Sequence, residues 1–69
     1  MKISARNILK GTVKEIIEGA IIGEVIIDVN GTEIAAQISK ASIDHLGLVV
    51  GKPAYAVIKI DNVLVGVDE

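Results

Sequence analysis

From Ile8 to Glu18 apolar and polar residues alternate loosely, with Leu9, Val13 and Ile17 on one side and Lys10, Thr12 and Lys14 on the other. That period of two predicts a half-buried strand, and Gly19 ends it. Ala20 to Val29 alternates again: Ile21, Gly23, Val25, Ile27 and Val29 share one face, while Ile22 and Ile26 share the other with Glu24 and Asp28. A second face that is half apolar predicts cover from another element or another subunit. Asn30-Gly31 then separates two alternating runs. Both positions of such a two-residue turn take positive φ, so the dipeptide predicts a hairpin. A third strand is expected over Thr32 to Ser39, with Ile34, Ala36 and Ile38 inward and Glu33 and Gln37 outward.

Between Ser39 and Gly47 the rhythm changes. Ser39 or Ser42 can cap a helix, Ala41, Ile43 and Leu46 have the spacing of one helical face, and Gly47 suits a C-terminal stop, which together predict one short helix. Gly51-Lys52-Pro53 reads as a turn, Pro53 being barred from a central strand by its missing N–H. A fourth strand is expected over Ala54 to Ile60, a turn at Asp61-Asn62, a fifth strand over Val63 to Val67, and a polar end at Asp68 and Glu69. Five short strands with a helix between the third and fourth have the order of an OB-type Greek-key barrel, though an SH3-like barrel or a small sandwich uses similar strands. The expected fold is therefore all-β with one short helix, a five-stranded OB-like barrel forming a single domain over residues 1–69.

Composition adds a stability problem. A chain of 69 residues buries only about 60% of its unfolded surface and usually needs disulfides, a metal or oligomerisation. There is no Cys, and the single His45 cannot build a zinc site. Apolar residues make up 51% of the chain, mostly Ile and Val, with no Phe or Trp. That is more β-branched surface than a monomer of this size can hide, so self-association is the expected remedy. The formal charge of −2, from 7 basic and 9 acidic residues, argues against a general electrostatic grip on nucleic acid or an anionic membrane. No leader-like opening and no apolar run near the 18 or so residues of a membrane span are present, so a cytoplasmic protein is expected.

Catalysis finds little support. His45 neighbours Asp44 on the expected helix, where adjacent residues do not face each other, and no Cys accompanies them. The acidic residues are too dispersed for a metal cluster or a carboxylate pair. Single-stranded nucleic acid would need aromatic platforms and a basic groove; Tyr55 is the only aromatic, and six Lys are scattered. A local anion site asks for less. Arg6, the only arginine, lies in Ile3-Ser4-Ala5-Arg6-Asn7, where a planar guanidinium, a hydroxyl and free backbone N–H groups can converge on an oxyanion. Lys59 offers a second charge, and Gly19 to Gly23 could present bare backbone N–H groups. Taken alone, the stretch reads more readily as a solvated charge beside a turn residue, and Lys59 as a strand end.

Ser4-Ala5-Arg6-Asn7, then Leu9-Lys10-Gly11 and a strand ending at Gly19, followed by Ala20 to Val29, Ile38-Ser39 with Ser42, Leu46-Gly47-Leu48 and Ala56-Val57-Ile58-Lys59, resemble the molbindin family of molybdenum-pterin-binding proteins over essentially the whole chain. The resemblance implies an OB-like barrel assembled as a homohexamer, a trimer of dimers, that stores or buffers molybdate or tungstate and is not an enzyme. It implies an oxyanion site shared between subunits, with Ser4 giving a hydroxyl, Ala5 a backbone N–H, Arg6 charge and directed donors, Lys59 a second charge and Ile60 a backbone N–H. A further site near the threefold axis is implied around Ala20, Ile22 and Lys40. Ile60-Asp61-Asn62 departs from the family habit of Ser or Thr after the lysine, and Ile22 replaces a commonly polar residue. An oxyanion-sensing regulatory module and, less favoured, a nucleic-acid-binding OB domain are the alternatives.

Overall fold

Three hydrogen-bonded strand pairs build the molecule. The computed structural model describes residues 1–68. The strands are β1 (Asn7–Ile17), β2 (Ile22–Val29), β3 (Thr32–Ser39) and β4 (Pro53–Ile58), with helix α1 (Lys40–Leu46) between the last two. They form one antiparallel sheet in the order β3-β2-β1-β4. β1 is long enough to serve two partners: Asn7 to Thr12 pair with β4, and Thr12 to Ile17 pair with β2. Gly11 stands beside that change of partner. A Cβ there would run into the Asp28 carbonyl and lie 2.8 Å from Ile27 Cγ2, so only glycine lets β1 cross β2 so closely.

The register shifts between Val13 and Glu15. The bulge advances the inward phase by one residue: Val13 is buried and Ile16 half-buried, while Ile17, expected inward, is 49% exposed. This is the usual effect of one extra residue in a ladder. The hairpin at Asn30-Gly31 forms as expected, with φ of 50° and 90°. β3 has the expected bounds, with Ile34, Ala36 and Ile38 half-buried and Glu33 and Gln37 exposed. Lys14 and Glu33 pair on the solvent side; the hydrogen bond to Glu33, and then its charge, hold the Lys14 ammonium above its ordinary pKa.

The Ser39 side chain caps α1, accepting from Ser42 N at 3.0 Å. At the other end Gly47, with φ 63°, donates to Asp44 O at 3.1 Å and Leu48 donates to Ile43 O at 3.2 Å, the paired bonds of a Schellman stop. Of the expected helical face only Ile43 is buried; Ala41 and Leu46 are exposed. Ile43 rests on Gly23, where a Cβ would sit 2.5 Å from Ile43 Cδ1. Val13, Val25, Ile27, Ile43 and Ala56 make up the core, with Ile16, Val29, Ile34, Ile38, Leu48 and Ala54 packed around it.

Three expectations are corrected. β2 starts at Ile22 rather than Ala20, leaving Ile21 77% exposed. β4 begins at Pro53, acceptable because β4 is an edge strand, and stops at Ile58. No fifth strand forms over Val63 to Val67: a 3₁₀ turn, η1 (Ile60–Asn62), replaces the expected turn, and residues 63–67 pair with no strand among the described residues. The sheet is therefore four-stranded and curled, and the barrel is left open between β3 and β4. Alternation shows what a segment can do in a sheet, but a strand forms only where its backbone pairs with a neighbour's.

Candidate oxyanion site

The β1–β4 register decides where the N-terminal stretch goes. Asn7 pairs with Ile58, and its side-chain amide donates to Ile58 O at 3.3 Å. Residues ahead of Asn7 are thereby held beside residues just after Ile58. The result is a cleft of about 490 Å³ lined by Ile3, Ser4, Ala5, Arg6, Val57, Lys59, Ile60 and Asp61. All five residues expected at the first site line it, and all five come from one chain. The family resemblance places the Arg6 and Lys59 halves on different subunits, whereas within a single chain the fold already sets them around one cleft. Ladder register, invisible in the local sequence, is the reason.

Among the described residues neither Arg6 nor Lys59 forms an ion pair, and the Ser4 hydroxyl has no hydrogen-bond partner. Their donors are available to a ligand. Arg6, Lys59 and Ser4 are exposed while Ala5 is half-buried, so the chain alone offers an open site. Two cations against the Asp61 carboxylate leave one net positive charge in the lining. This donor set fits a tetrahedral dianion: a fork, a point charge and a hydroxyl, with Ile60 contributing only backbone. Val57 lines the cleft without having been singled out in the sequence, whereas Ile3, in the candidate stretch, and Asp61, noted after Ile60, were already beside the expected site.

The second expected group is also brought together, at the far end of β1. Ile22 pairs with Ser39, and Lys40 N donates to Ile21 O at 2.8 Å. That bond occupies the Lys40 N–H. Lys40 Nζ lies 3.5 Å from Asp44 Oδ2, and Ala20 and Ile22 are exposed. Gly23 is buried under Ile43, so the bare backbone expected there faces the core rather than an anion. No group of three or more His, Cys, Asp or Glu able to hold a metal ion occurs among the described residues.

A family model described as "TOBE domain" matches residues 3–65. The chain belongs to the TOBE domain family. Within it, the chain is 48% identical to a probable molybdenum-pterin-binding protein of Haemophilus influenzae over 99% of this chain and 100% of that one. Two solved structures superpose closely. A molybdate-binding protein from Sporomusa ovata has a TM-score of 0.89 at 42% identity, covering 94% of this chain and 97% of that one. The cytoplasmic molybdate-binding protein ModG, with molybdate bound, has a TM-score of 0.92 at 48% identity, covering 99% of this chain and 49% of that one. All three of these relatives are binding proteins by name. No helix among the described residues is long and apolar enough to cross a membrane.

Proposed function

We propose that the chain binds molybdate or tungstate in the cleft of Ser4, Ala5, Arg6, Lys59 and Ile60, and serves as a cytoplasmic store or buffer for the anion. The observation that carries this reading is the convergence of the only arginine, Lys59 and the Ser4 hydroxyl on one cleft, with no competing ion pair among the described residues. The molybdate bound in ModG and the molybdate-binding relative from Sporomusa ovata support it. A homohexamer built as a trimer of dimers belongs to the same reading, since an open cleft gains affinity when a neighbouring copy excludes water from it. Ala20, Ile22 and Lys40 form the proposed second site, with the Lys40 ammonium as its charge.

Melting in the presence of anion tests the reading. Molybdate at a hundredfold over its Kd should stabilise the protein by about 2.7 kcal/mol, tungstate similarly, and Arg6→Ala should abolish the gain while leaving the anion-free melt unchanged. A wild-type melt that does not move across the titration would falsify the proposal.

A further inference from the structure

η1 is closed by Asn62 N, which donates to Lys59 O at 3.0 Å and leaves Asp61 at the middle of a tight turn. Lys59 and Asp61 thereby come from one turn to line the same cleft, together with Ser4 and Arg6. Among the described residues the Asp61 carboxylate has no ion pair and no side-chain hydrogen bond, not even with Lys59 two positions before it. An ionised carboxylate can only accept hydrogen bonds. Molybdate, tungstate and sulfate are fully deprotonated near neutral pH and can also only accept. To them Asp61 offers nothing but the repulsion of like charges.

We infer that Asp61 adapts the cleft to a tetrahedral oxyanion that carries a proton, the class to which hydrogen phosphate belongs. The carboxylate accepts the anion's O–H while Arg6, Lys59 and the Ser4 hydroxyl donate to its other oxygens. This preference rests on the oxyanion reading and adds a ligand class to the same cleft. The side chains divide as such a ligand requires: Arg6 and Lys59 can only donate, Asp61 can only accept, and Ser4 can do either. Where a fully ionised anion meets repulsion, hydrogen phosphate forms a charge-assisted O–H···O⁻ bond. Sulfate has the same shape and charge but no O–H, so it meets the same two cations and the same carboxylate without that bond. Ile60 brings no hydroxyl that could turn to donate to it instead. Discrimination here is a difference of affinities, built from repulsion of one anion as much as attraction of the other.

Asp61 and both cations are exposed, which limits the preference to about fivefold. For a molybdate store the consequence is competition. Phosphate and molybdate occupy one cleft, so the molybdate held depends on the ratio of the two anions by mass action.

Equilibrium dialysis of the full chain against inorganic phosphate, sulfate and methyl phosphate tests the preference, in mildly alkaline buffer of matched ionic strength where all three are dianions. Phosphate should bind about fivefold tighter than either of the others, since neither of them has an O–H. Asp61→Asn and Asp61→Ser should erase the difference while raising sulfate affinity. Their circular dichroism should match the wild type, because the replaced side chain is exposed and unpaired among the described residues. Equal binding of phosphate and sulfate by the wild type, or a phosphate preference that both variants keep, overturns the inference. Molybdate in the same dialysis separates it from the reading on which it rests. Molybdate uptake without a phosphate preference overturns the inference alone, a phosphate preference without molybdate uptake overturns the molybdate reading alone, and uptake of no anion overturns both.

Discussion

Arg6 and Lys59 lie near opposite ends of the chain, yet one ladder position, Asn7 opposite Ile58, is enough to bring them to one cleft. The residues flanking them set the balance of the site. Ile60 offers no hydroxyl, and Asp61 places a carboxylate in the lining. Charges at an exposed site interact weakly, by tenths of a kcal/mol to about 1 kcal/mol. Asp61→Asn should therefore tighten molybdate up to about fivefold, with the gain shrinking at high salt; isothermal titration at two ionic strengths reads it, and an affinity that weakens would remove Asp61 from the binding account. The residue types of this site were legible in the sequence. That one chain brings both cations to a single cleft was not, because register is a property of two strands and neither carries it alone.

At the scale of elements, the parts specified by neighbouring residues came out as expected. Asn30-Gly31 places a hairpin wherever it stands between two alternating runs, and β3 has the anticipated bounds. The helix was also legible, except for which serine caps it: Ser39 Oγ accepts from Ser42 N, while Ser42 lies inside the first turn. Ser39→Ala should cost about 1 kcal/mol in urea denaturation and speed hydrogen exchange along α1, and Ser42→Ala should cost less. Equal costs would mean that the cap bond contributes little. Elements shaped by contacts across the sheet were less legible. The bulge after Val13 turned Ile17 outward, and Gly23 proved to be the floor under Ile43 rather than a donor to an anion. Nothing local distinguishes a glycine needed for close approach from one needed for bare N–H groups.

Taken whole, the chain is larger than its mass requires. Its radius of gyration is 12.9 Å against about 11 Å for a compact domain of this length, and among the described residues five buried apolar side chains form its core. The proposed homohexamer should melt at a temperature that rises with the protein's own concentration. Differential scanning calorimetry over a hundredfold range of concentration checks this, and a constant Tm would point to a self-sufficient monomer. The apolar excess, the alternation, the turn and cap residues and the candidate anion donors are all properties of single residues or near neighbours, so the sequence alone determined them. The open barrel, the unpaired Val63–Val67 segment and the meeting of Ser4, Arg6 and Lys59 in one cleft were decided only by the tertiary structure. Each depends on which strand edges are already occupied and in what register, and hydrogen-bond pairing between distant segments settles that only once the chain has folded.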